Sequence, residues 1–205
     1  MTVQTQPQYT LEDYLAAERE ADVRHEYVDG QVFDMVGASE NHNIIVANLT
    51  TFILTQMKGR PCLVYANDMK VRIDAENACK YPDITALCGE REFLDDRRDV
   101  LLNPSLIIEV LSDSTEAYDR GEKFALYRRL PSLKDYILAS QDRKRIELYT
   151  KQADGGWLLT EYNDDDDKIV LESIDCMLIL RDVYDKVEFR LNSSTGILGR
   201  TKITY

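Results

Sequence analysis

The feature that most constrains this chain is a six-residue apolar segment, LIIEVL at 106–111, which contains a single carboxylate, Glu109. Its length and its β-branched residues predict a strand. A lone carboxylate in such a strand is costly unless it is paired, neutralised or bound to a metal ion. Glu109 is therefore a candidate functional residue.

A second carboxylate, Asp83, follows Tyr81 and Pro82 and opens the apolar run ITALC at 84–88. An Asp at the start of one central strand and a Glu inside the next can converge on one point, where their charges repel. A divalent cation relieves this repulsion, and Mg²⁺ typically uses one or two carboxylates together with waters and substrate phosphate oxygens. The alternative is that Asp83 caps a turn and Glu109 pairs with an arginine.

Apolar periodicity and turn residues predict one mixed domain over residues 10–190, between a flexible N-terminus at 1–9 and a C-terminal tail at 191–205. Two helices are predicted to begin after the N-cap residues Thr10 and Ser39. The other predicted elements are a hairpin at Asp29-Gly30, a loop at 90–103, a helix within 112–130 that Gly121 weakens, and strands at 62–67, 69–73, 84–88, 106–111, 135–140, 145–150 and 157–162.

The charge balance limits the partners of this protein. Its 205 residues include 25 Lys and Arg and 37 Asp and Glu, for a net charge of −12. Such a chain repels phosphates at long range, so tight non-specific binding to nucleic acid or an anionic membrane is not expected. No segment approaches the ~20 apolar residues of a membrane helix, and no secretory signal is visible, so we expect a cytoplasmic protein. The four cysteines have neither metal-site nor disulfide-framework spacing, and we expect them to be reduced.

Three segments resemble the Uma2 (DUF820) family, namely Tyr81-Pro82-Asp83, 103–112 and 114–127. The resemblance extends from about Tyr9 to about Glu188. Members of this family are described as putative restriction endonucleases of the PD-(D/E)XK nuclease superfamily. The resemblance implies an α/β fold with a mixed central sheet flanked by helices. It also implies an endonuclease that depends on Mg²⁺ or Mn²⁺, has DNA as its expected substrate, and forms a homodimer or a higher homo-oligomer.

The resemblance assigns Asp83 and Glu109 as metal ligands and catalytic residues. The superfamily signature places a lysine two residues after the acid, where this chain has Leu111. The best substitute is Lys123, which lies one helical turn before Tyr127, so that both residues would share a face and Tyr127 would support the helix. Lys123 could orient the attacking water or neutralise charge. The alternative is that it is a surface cation.

Several further polar residues are supporting candidates: Glu26, His42, Asp68, Lys70, Arg72 and Asp119. Glu26 would be another active-site acid, His42 a contact of the phosphate or of the metal site or a capping residue, and Asp68 a third acidic group. Lys70 and Arg72 are alternatives to Lys123. Asp119 could simply form a helical ion pair with Lys123.

Two other function classes stay open. The absence of the signature lysine is compatible with a non-catalytic module on a nuclease fold that binds nucleic acid or protein. A metal-dependent hydrolase of small phosphate esters is the third possibility. Metal binding distinguishes both enzymes from the module, and a preference for polynucleotides distinguishes the two enzymes from each other.

Overall fold

The computed structural model describes residues 8–35, 37–112 and 115–189 of the chain. The C-terminal tail expected at 191–205 lies outside these residues, as does the expected N-terminal segment except for residues 8 and 9. Within the described ranges, no helix is both long enough and apolar enough to cross a membrane.

A five-stranded sheet carries the N-terminal hairpin. Its strands are β1 (His25–Val28), β2 (Gln31–Asp34), β4 (Lys70–Ile73), β5 (Ala78–Lys80) and β7 (Val100–Leu101). They lie in the order β2-β1-β5-β4-β7. The predicted turn between β1 and β2 is confirmed, with φ of 43° at Asp29 and 87° at Gly30, a left-handed conformation that Asp tolerates and Gly adopts freely. Two of these strands were not predicted from the sequence, namely β5 and β7, and β7 lies in the span predicted to be a loop.

A six-stranded sheet forms the centre of the molecule. Its strands are β3 (Cys62–Ala66), β6 (Ile84–Cys88), β8 (Leu106–Leu111), β9 (Asp135–Ser140), β10 (Ile146–Lys151) and β11 (Trp157–Tyr162). They lie in the order β11-β10-β9-β8-β6-β3, with β8 and β9 parallel and the other neighbours antiparallel. The predicted strand at 106–111 is confirmed, and all six of its residues are buried.

Helical segments cover both faces of this sheet, α2 (Glu40–Met57) on one face and residues 116–127 on the other. As predicted, Ser39 caps α2 and Thr10 caps α1 (Leu11–Glu18), which packs against the five-stranded sheet. Side chains alternate along β8, so Ile108 and Val110 join the core under α2, whereas Ile107 and Leu111 join the core on the opposite face. The same alternation places Glu109 on the face of Ile107 and Leu111.

The helical segment on the Glu109 side is irregular. It consists of α3 (Glu116–Tyr118), a π-helical turn (Asp119–Lys123) and α4 (Phe124–Tyr127). The predicted weak point, Gly121, lies within the π-helical turn. Such turns are rare and frequently occur at functional sites. The segment packs Phe124 and Tyr127 against the core beneath it and brings Lys123 to the same face.

The C-terminal part of the described chain adds a hairpin that the sequence analysis did not predict. It is formed by β12 (Lys168–Leu171) and β13 (Cys176–Ile179) and is followed by α5 (Leu180–Val183). Buried residues of the hairpin and of α5 join the same hydrophobic core as α2. This hairpin therefore helps to cover the face of the central sheet opposite Glu109.

The expectation that all cysteines are reduced is wrong. Cys62 and Cys88 form a disulfide, whereas Cys79 and Cys176 are free and buried. Cys62 and Cys88 are directly opposite each other in the antiparallel pair β3 and β6. Their separation of 26 residues gave no sequence signal, because the pairing depends on the register of two strands.

Candidate active site

Glu109 lies in the centre of β8 with its side chain 3% exposed. The Tyr127 hydroxyl donates a hydrogen bond of 3.0 Å to its Oε1 atom, and the Lys123 ammonium lies 2.9 Å from the same atom. Burial raises the pKa of Glu109 well above its ordinary value, and the positive charge of Lys123 only partly opposes this rise. The alternative pairing with an arginine is wrong, since a lysine and a tyrosine supply the contacts.

Lys123 is a buried cation rather than the surface cation of the alternative prediction. Besides Glu109, its ammonium lies 3.6 Å from Glu26 Oε1 and 3.7 Å from Asp119 Oδ1. Burial alone would lower the pKa of Lys123, but the three carboxylates outweigh burial and raise it well above its ordinary value. Lys123 therefore stays positively charged at neutral pH.

Glu26, on β1, links Lys123 to a second buried lysine. The ammonium of Lys80 lies 2.8 Å from Glu26 Oε2 and donates a hydrogen bond of 2.8 Å to the Tyr118 hydroxyl. Burial acts to raise the pKa of Glu26, but the charges of Lys123 and Lys80 outweigh burial and lower it. Lys80 was not predicted as a site residue, because its partner Glu26 is 54 residues away in the sequence and no local pattern indicates the contact.

Asp83 directly precedes β6 and lies opposite Glu109 of the neighbouring strand β8. Ile84 pairs with Ile108, and continuing this antiparallel register by one residue brings Asp83 opposite Glu109. Asp83 Oδ2 accepts a hydrogen bond of 2.7 Å from the backbone N–H of Val110, so it does not act as a turn cap. Asp83 Oδ1 lies 3.1 Å from His42 Nε2.

These side chains open into one cavity of about 1040 Å³. Its polar lining includes most of the residues that the sequence analysis singled out, namely Glu26, His42, Asp68, Asp83, Glu109, Asp119 and Lys123. Asp68 lies at the rim and pairs with Arg24 at 3.2 Å. Tyr127 reaches the site only through its hydrogen bond to Glu109.

Two predicted cations and the signature position are not part of the cavity lining. Lys70 lies 3.1 Å from Asp99, and Arg72 lies 2.7 Å from Asp74, so neither replaces Lys123 at Glu109. Leu111 packs in the apolar core beside β8. The cation that contacts Glu109 thus comes from the helical segment above this face of the sheet and not from the strand itself.

The donor set limits which metal ion the cavity could hold. Within the described ranges, no three or more His, Cys, Asp or Glu side chains are grouped so that they could hold a metal ion. Besides burial, the negative charge of Asp83 also raises the pKa of Glu109, so the two carboxylates are electrostatically coupled. Mg²⁺ commonly binds through one or two carboxylates, with water and substrate oxygens as the remaining ligands. Asp83 and Glu109 fit that kind of site.

Comparisons with known sequences agree with the resemblance. Residues 11–180 match the Uma2 family model, described as "Putative restriction endonuclease". Two uncharacterized proteins of Synechocystis sp., slr1290 and sll1609, are 37% and 36% identical to this chain. The first alignment covers 89% of this chain and 95% of slr1290, and the second covers 78% of this chain and 91% of sll1609.

The fold also matches a solved structure, the crystal structure of "a putative nuclease belonging to DUF820" from Anabaena variabilis. The TM-score is 0.72, with 16% sequence identity, over 86% of this chain and 98% of that chain. This similarity confirms the predicted α/β fold of the restriction-endonuclease type, with mixed sheets flanked by helices. Because the Uma2 family model matches residues 11–180, which is most of the chain, the chain belongs to the Uma2 family.

Proposed function

We propose that this protein is a divalent-metal-dependent endonuclease that hydrolyses phosphodiester bonds, with DNA as its substrate. One observation carries the proposal. Asp83 and Glu109, from neighbouring strands of the central sheet, line the same cavity, and the Lys123 ammonium lies 2.9 Å from Glu109. Two acids can hold a divalent ion beside a phosphate, and a lysine can neutralise negative charge there.

The two carboxylates would hold Mg²⁺ or Mn²⁺, which when bound lowers the pKa of a water and stabilises charge on the scissile phosphate. Because Lys123 stays protonated, it cannot act as a general base. It can instead donate hydrogen bonds to the attacking water or to a phosphate oxygen, and its charge partly opposes the rise in the pKa of Glu109. Lys123 is thus the proposed counterpart of the signature lysine that Leu111 replaces.

The neighbouring side chains would orient the two acids. The backbone N–H of Val110 and the His42 ring each contact one oxygen of Asp83, which fixes the plane of its carboxylate. Tyr127 contacts Glu109 Oε1, the same oxygen that Lys123 contacts, so Oε2 takes no part in either contact. In this arrangement Glu109 Oε2 is the oxygen available to a metal ion.

Thermal unfolding with Mn²⁺ or Mg²⁺ tests metal binding without a choice of substrate. A ligand that binds only the folded protein stabilises it by about 2.7 kcal/mol at ~100 times its dissociation constant. We expect either ion to raise the unfolding temperature of the wild type but not of Asp83→Asn or Glu109→Gln. Asp34→Asn is the matched control, since Asp34 also lines the cavity but is 89% exposed.

Cleavage of plasmid and single-stranded DNA then tests the reaction itself. We expect cleavage with Mn²⁺ or Mg²⁺ by the wild type and by Asp34→Asn, and no cleavage by Asp83→Asn or Glu109→Gln. A wild type that millimolar metal does not stabilise and that cleaves neither DNA would contradict the proposal. Cleavage of small phosphate esters alone would instead support a hydrolase of small substrates.

One observation favours a second candidate, a non-catalytic module that binds nucleic acid or protein. Leu111 is buried in the core at the signature position, and Lys123 already contacts three carboxylates. In such a module these ion pairs would serve only stability. The metal titration separates the two candidates, because the module predicts no metal-dependent stabilisation.

The proposal also includes a cytoplasmic location and a homodimer or higher homo-oligomer. A DNA substrate favours the cytoplasm, whereas the Cys62–Cys88 disulfide opposes it, because cytosolic thiols are kept reduced. Alkylation of free thiols during cell lysis, followed by mass spectrometry, shows whether this pair is oxidised in cells. Light scattering of the purified protein tests the oligomeric state, which only the family resemblance supports.

A further inference from the structure

One exposed aromatic side chain has no role in the site described above. Phe33 lies on β2, an edge strand of the five-stranded sheet, and it lines the cavity although 47% of its surface is exposed. It is directly opposite Glu26 in the β1–β2 pair, so the two side chains stand next to each other on one face. The Lys80 ammonium lies 5.8 Å from the centre of the Phe33 ring, within the range of a cation–π contact.

A short series of contacts connects Phe33 to the candidate metal ligands. Its neighbour Glu26 is 3.6 Å from the Lys123 ammonium, which is 2.9 Å from Glu109. Val28 and Met35 also line the cavity beside Phe33. Apolar side chains therefore line this end of the cavity, beside the charged residues that lead to Glu109.

The charge of the cavity limits how a nucleic acid could bind there. Seven acidic residues line it, the two candidate metal ligands and Glu26, Asp34, Asp68, Asp119 and Glu122, against three cations, Arg24, Lys80 and Lys123. The whole chain carries a net charge of −12. Attraction of the phosphate backbone is therefore a weak source of affinity, and stacking of bases on aromatic side chains is a source that does not depend on charge.

We propose that Phe33 stacks on an unpaired nucleobase next to the scissile phosphate, so that the preferred substrate is single-stranded or locally unpaired nucleic acid. This inference rests on the proposed nuclease function and specifies its substrate class. In a duplex both faces of a base are covered by its neighbours, so stacking on Phe33 requires the base to leave the stack. A single strand offers free base faces without that cost.

Binding measurements test the role of Phe33 without turnover. The probe is a fluorescein-labelled 12-nucleotide single strand, and its duplex is measured for comparison. Both are measured in Ca²⁺, an ion that binds oxygen ligands with a looser geometry than Mg²⁺. A gel confirms that the probe stays intact. We expect Phe33→Leu to weaken single-strand binding about 5- to 150-fold, the range of one base–aromatic stack. Phe33→Tyr should bind like the wild type.

Val32→Ala is the matched control. Val32 neighbours Phe33 on β2 and is 36% exposed, but it is opposite Tyr27 rather than Glu26 and does not line the cavity. We expect this variant to bind the single strand like the wild type. The unfolding temperature of each variant shows that a loss of binding does not arise from misfolding.

Oligonucleotides with one abasic position identify the stacking partner. We expect one position at which loss of the base weakens wild-type binding as much as Phe33→Leu does, and at which Phe33→Leu causes no further loss. The inference is overturned if Phe33→Leu binds like the wild type, if it weakens single strand and duplex equally, or if the wild type does not bind the single strand.

The two proposals fail in distinguishable ways. If the nuclease proposal fails, the wild type shows no metal-dependent cleavage and no metal-dependent stabilisation, whatever Phe33→Leu does to binding. If only the stacking inference fails, cleavage depends on Asp83 and Glu109, but Phe33→Leu binds and cleaves single strands like the wild type.

Discussion

Among the described residues, two clusters in which a lysine contacts a carboxylate on or beside a strand differ in their balance of acids and cations. In the first, Lys123 contacts Glu109, Glu26 and Asp119 beside the cavity. In the second, Asp99 is held by Lys70 at 3.1 Å and by two hydrogen bonds from Arg19, of 3.0 and 2.8 Å. One cluster has more acids than cations. In the other, two cations contact Asp99, and one of them, Arg19, also contacts Asp95 at 2.7 Å.

The pKa shifts of the two acids have opposite signs. Hydrogen bonds from Arg19 and Lys70 lower the pKa of Asp99 and outweigh its partial burial, which acts to raise the pKa. Burial raises the pKa of Glu109, and Lys123 cannot fully compensate because it is shared among three carboxylates. Perturbed acids of the second kind, buried beside a cavity, are the usual candidates for a functional site.

Replacement of Lys123 should have the largest effect on stability. Lys123→Met leaves Glu109, Glu26 and Asp119 buried near each other without their shared cation. Loss of one partner of a buried ion pair typically costs about 3–5 kcal/mol, and we expect a loss of that size in urea unfolding at pH 7. The loss should be smaller at pH 5, because buried carboxyl groups without a cation keep their protons to a higher pH than in the unfolded chain.

The double variant Lys123→Met/Glu109→Gln is the control for this explanation. It removes the charge of the nearest acid together with the cation, so it should recover part of the stability lost in Lys123→Met. If Lys123→Met is as stable as the wild type, or if the double variant is the less stable of the two, the buried network does not have the energetic role described here.

Replacement of Asp99 should have an intermediate effect and no effect on metal binding. Asp99→Asn weakens charge-assisted hydrogen bonds to Arg19 and Lys70, which are typically worth about 1.5–3 kcal/mol each to a charged group. We expect a loss of about 2 kcal/mol in urea unfolding at pH 7. Because the pKa of Asp99 is lowered in the folded protein, its contribution is present above its ordinary pKa of 3.8 and disappears as the pH falls below it.

Metal titration of Asp99→Asn completes the comparison. The rise in unfolding temperature with Mn²⁺ should equal that of the wild type, since Asp99 does not line the cavity. A loss of the Mn²⁺ response in this variant would show that the two clusters are not independent.

The pH dependence that Glu109 causes should have the opposite sign. Its raised folded pKa means that its contribution to stability is present below its ordinary pKa of 4.5 and is lost as the pH rises through the folded value. With EDTA, the free energy of unfolding of the wild type should therefore fall relative to Glu109→Gln between pH 5 and pH 8, by at most about 1.4 kcal/mol per pH unit.

Mn²⁺ should reverse this trend, because carboxylates bind metal ions in their deprotonated form. The free energy of unfolding of the wild type should then rise with pH relative to Glu109→Gln. A difference between the two proteins that does not change with pH, with and without Mn²⁺, would mean that Glu109 titrates at the same pH in the folded and unfolded chain.

Local sequence signals predicted the central part of the fold. The apolar run at 106–111, the Asp29-Gly30 turn and the caps Thr10 and Ser39 each depend on neighbouring residues, and each was found in the structure. The three-residue strand β5 and the hairpin β12–β13 were missed. Short strands carry little periodicity, and their pairing is decided by contacts with segments far away in the chain.

The same distinction applies to the candidate site. The four-residue spacing of Lys123 and Tyr127 predicted that they share a face, and both contact Glu109 Oε1. The burial of Lys80 could not be predicted, because its partner Glu26 is 54 residues away in the sequence. Lys70 has the strand context of an active-site lysine, but its contact with Asp99 depends on how a loop and a strand pack.

The two histidines of the chain provide the smallest and most specific test. His42 contacts Asp83 at the candidate metal site, whereas His25 contacts Glu18 at 2.8 Å outside the cavity lining. His42→Asn and His25→Asn each lose a contact between an imidazole ring and a carboxylate, so we expect each to lose about 1 kcal/mol of stability without metal. Only His42→Asn should also weaken the stabilisation by Mn²⁺, because the Asp83 carboxylate loses one of the two contacts that orient it. Equal Mn²⁺ responses of the two variants would show that the backbone N–H of Val110 alone orients Asp83.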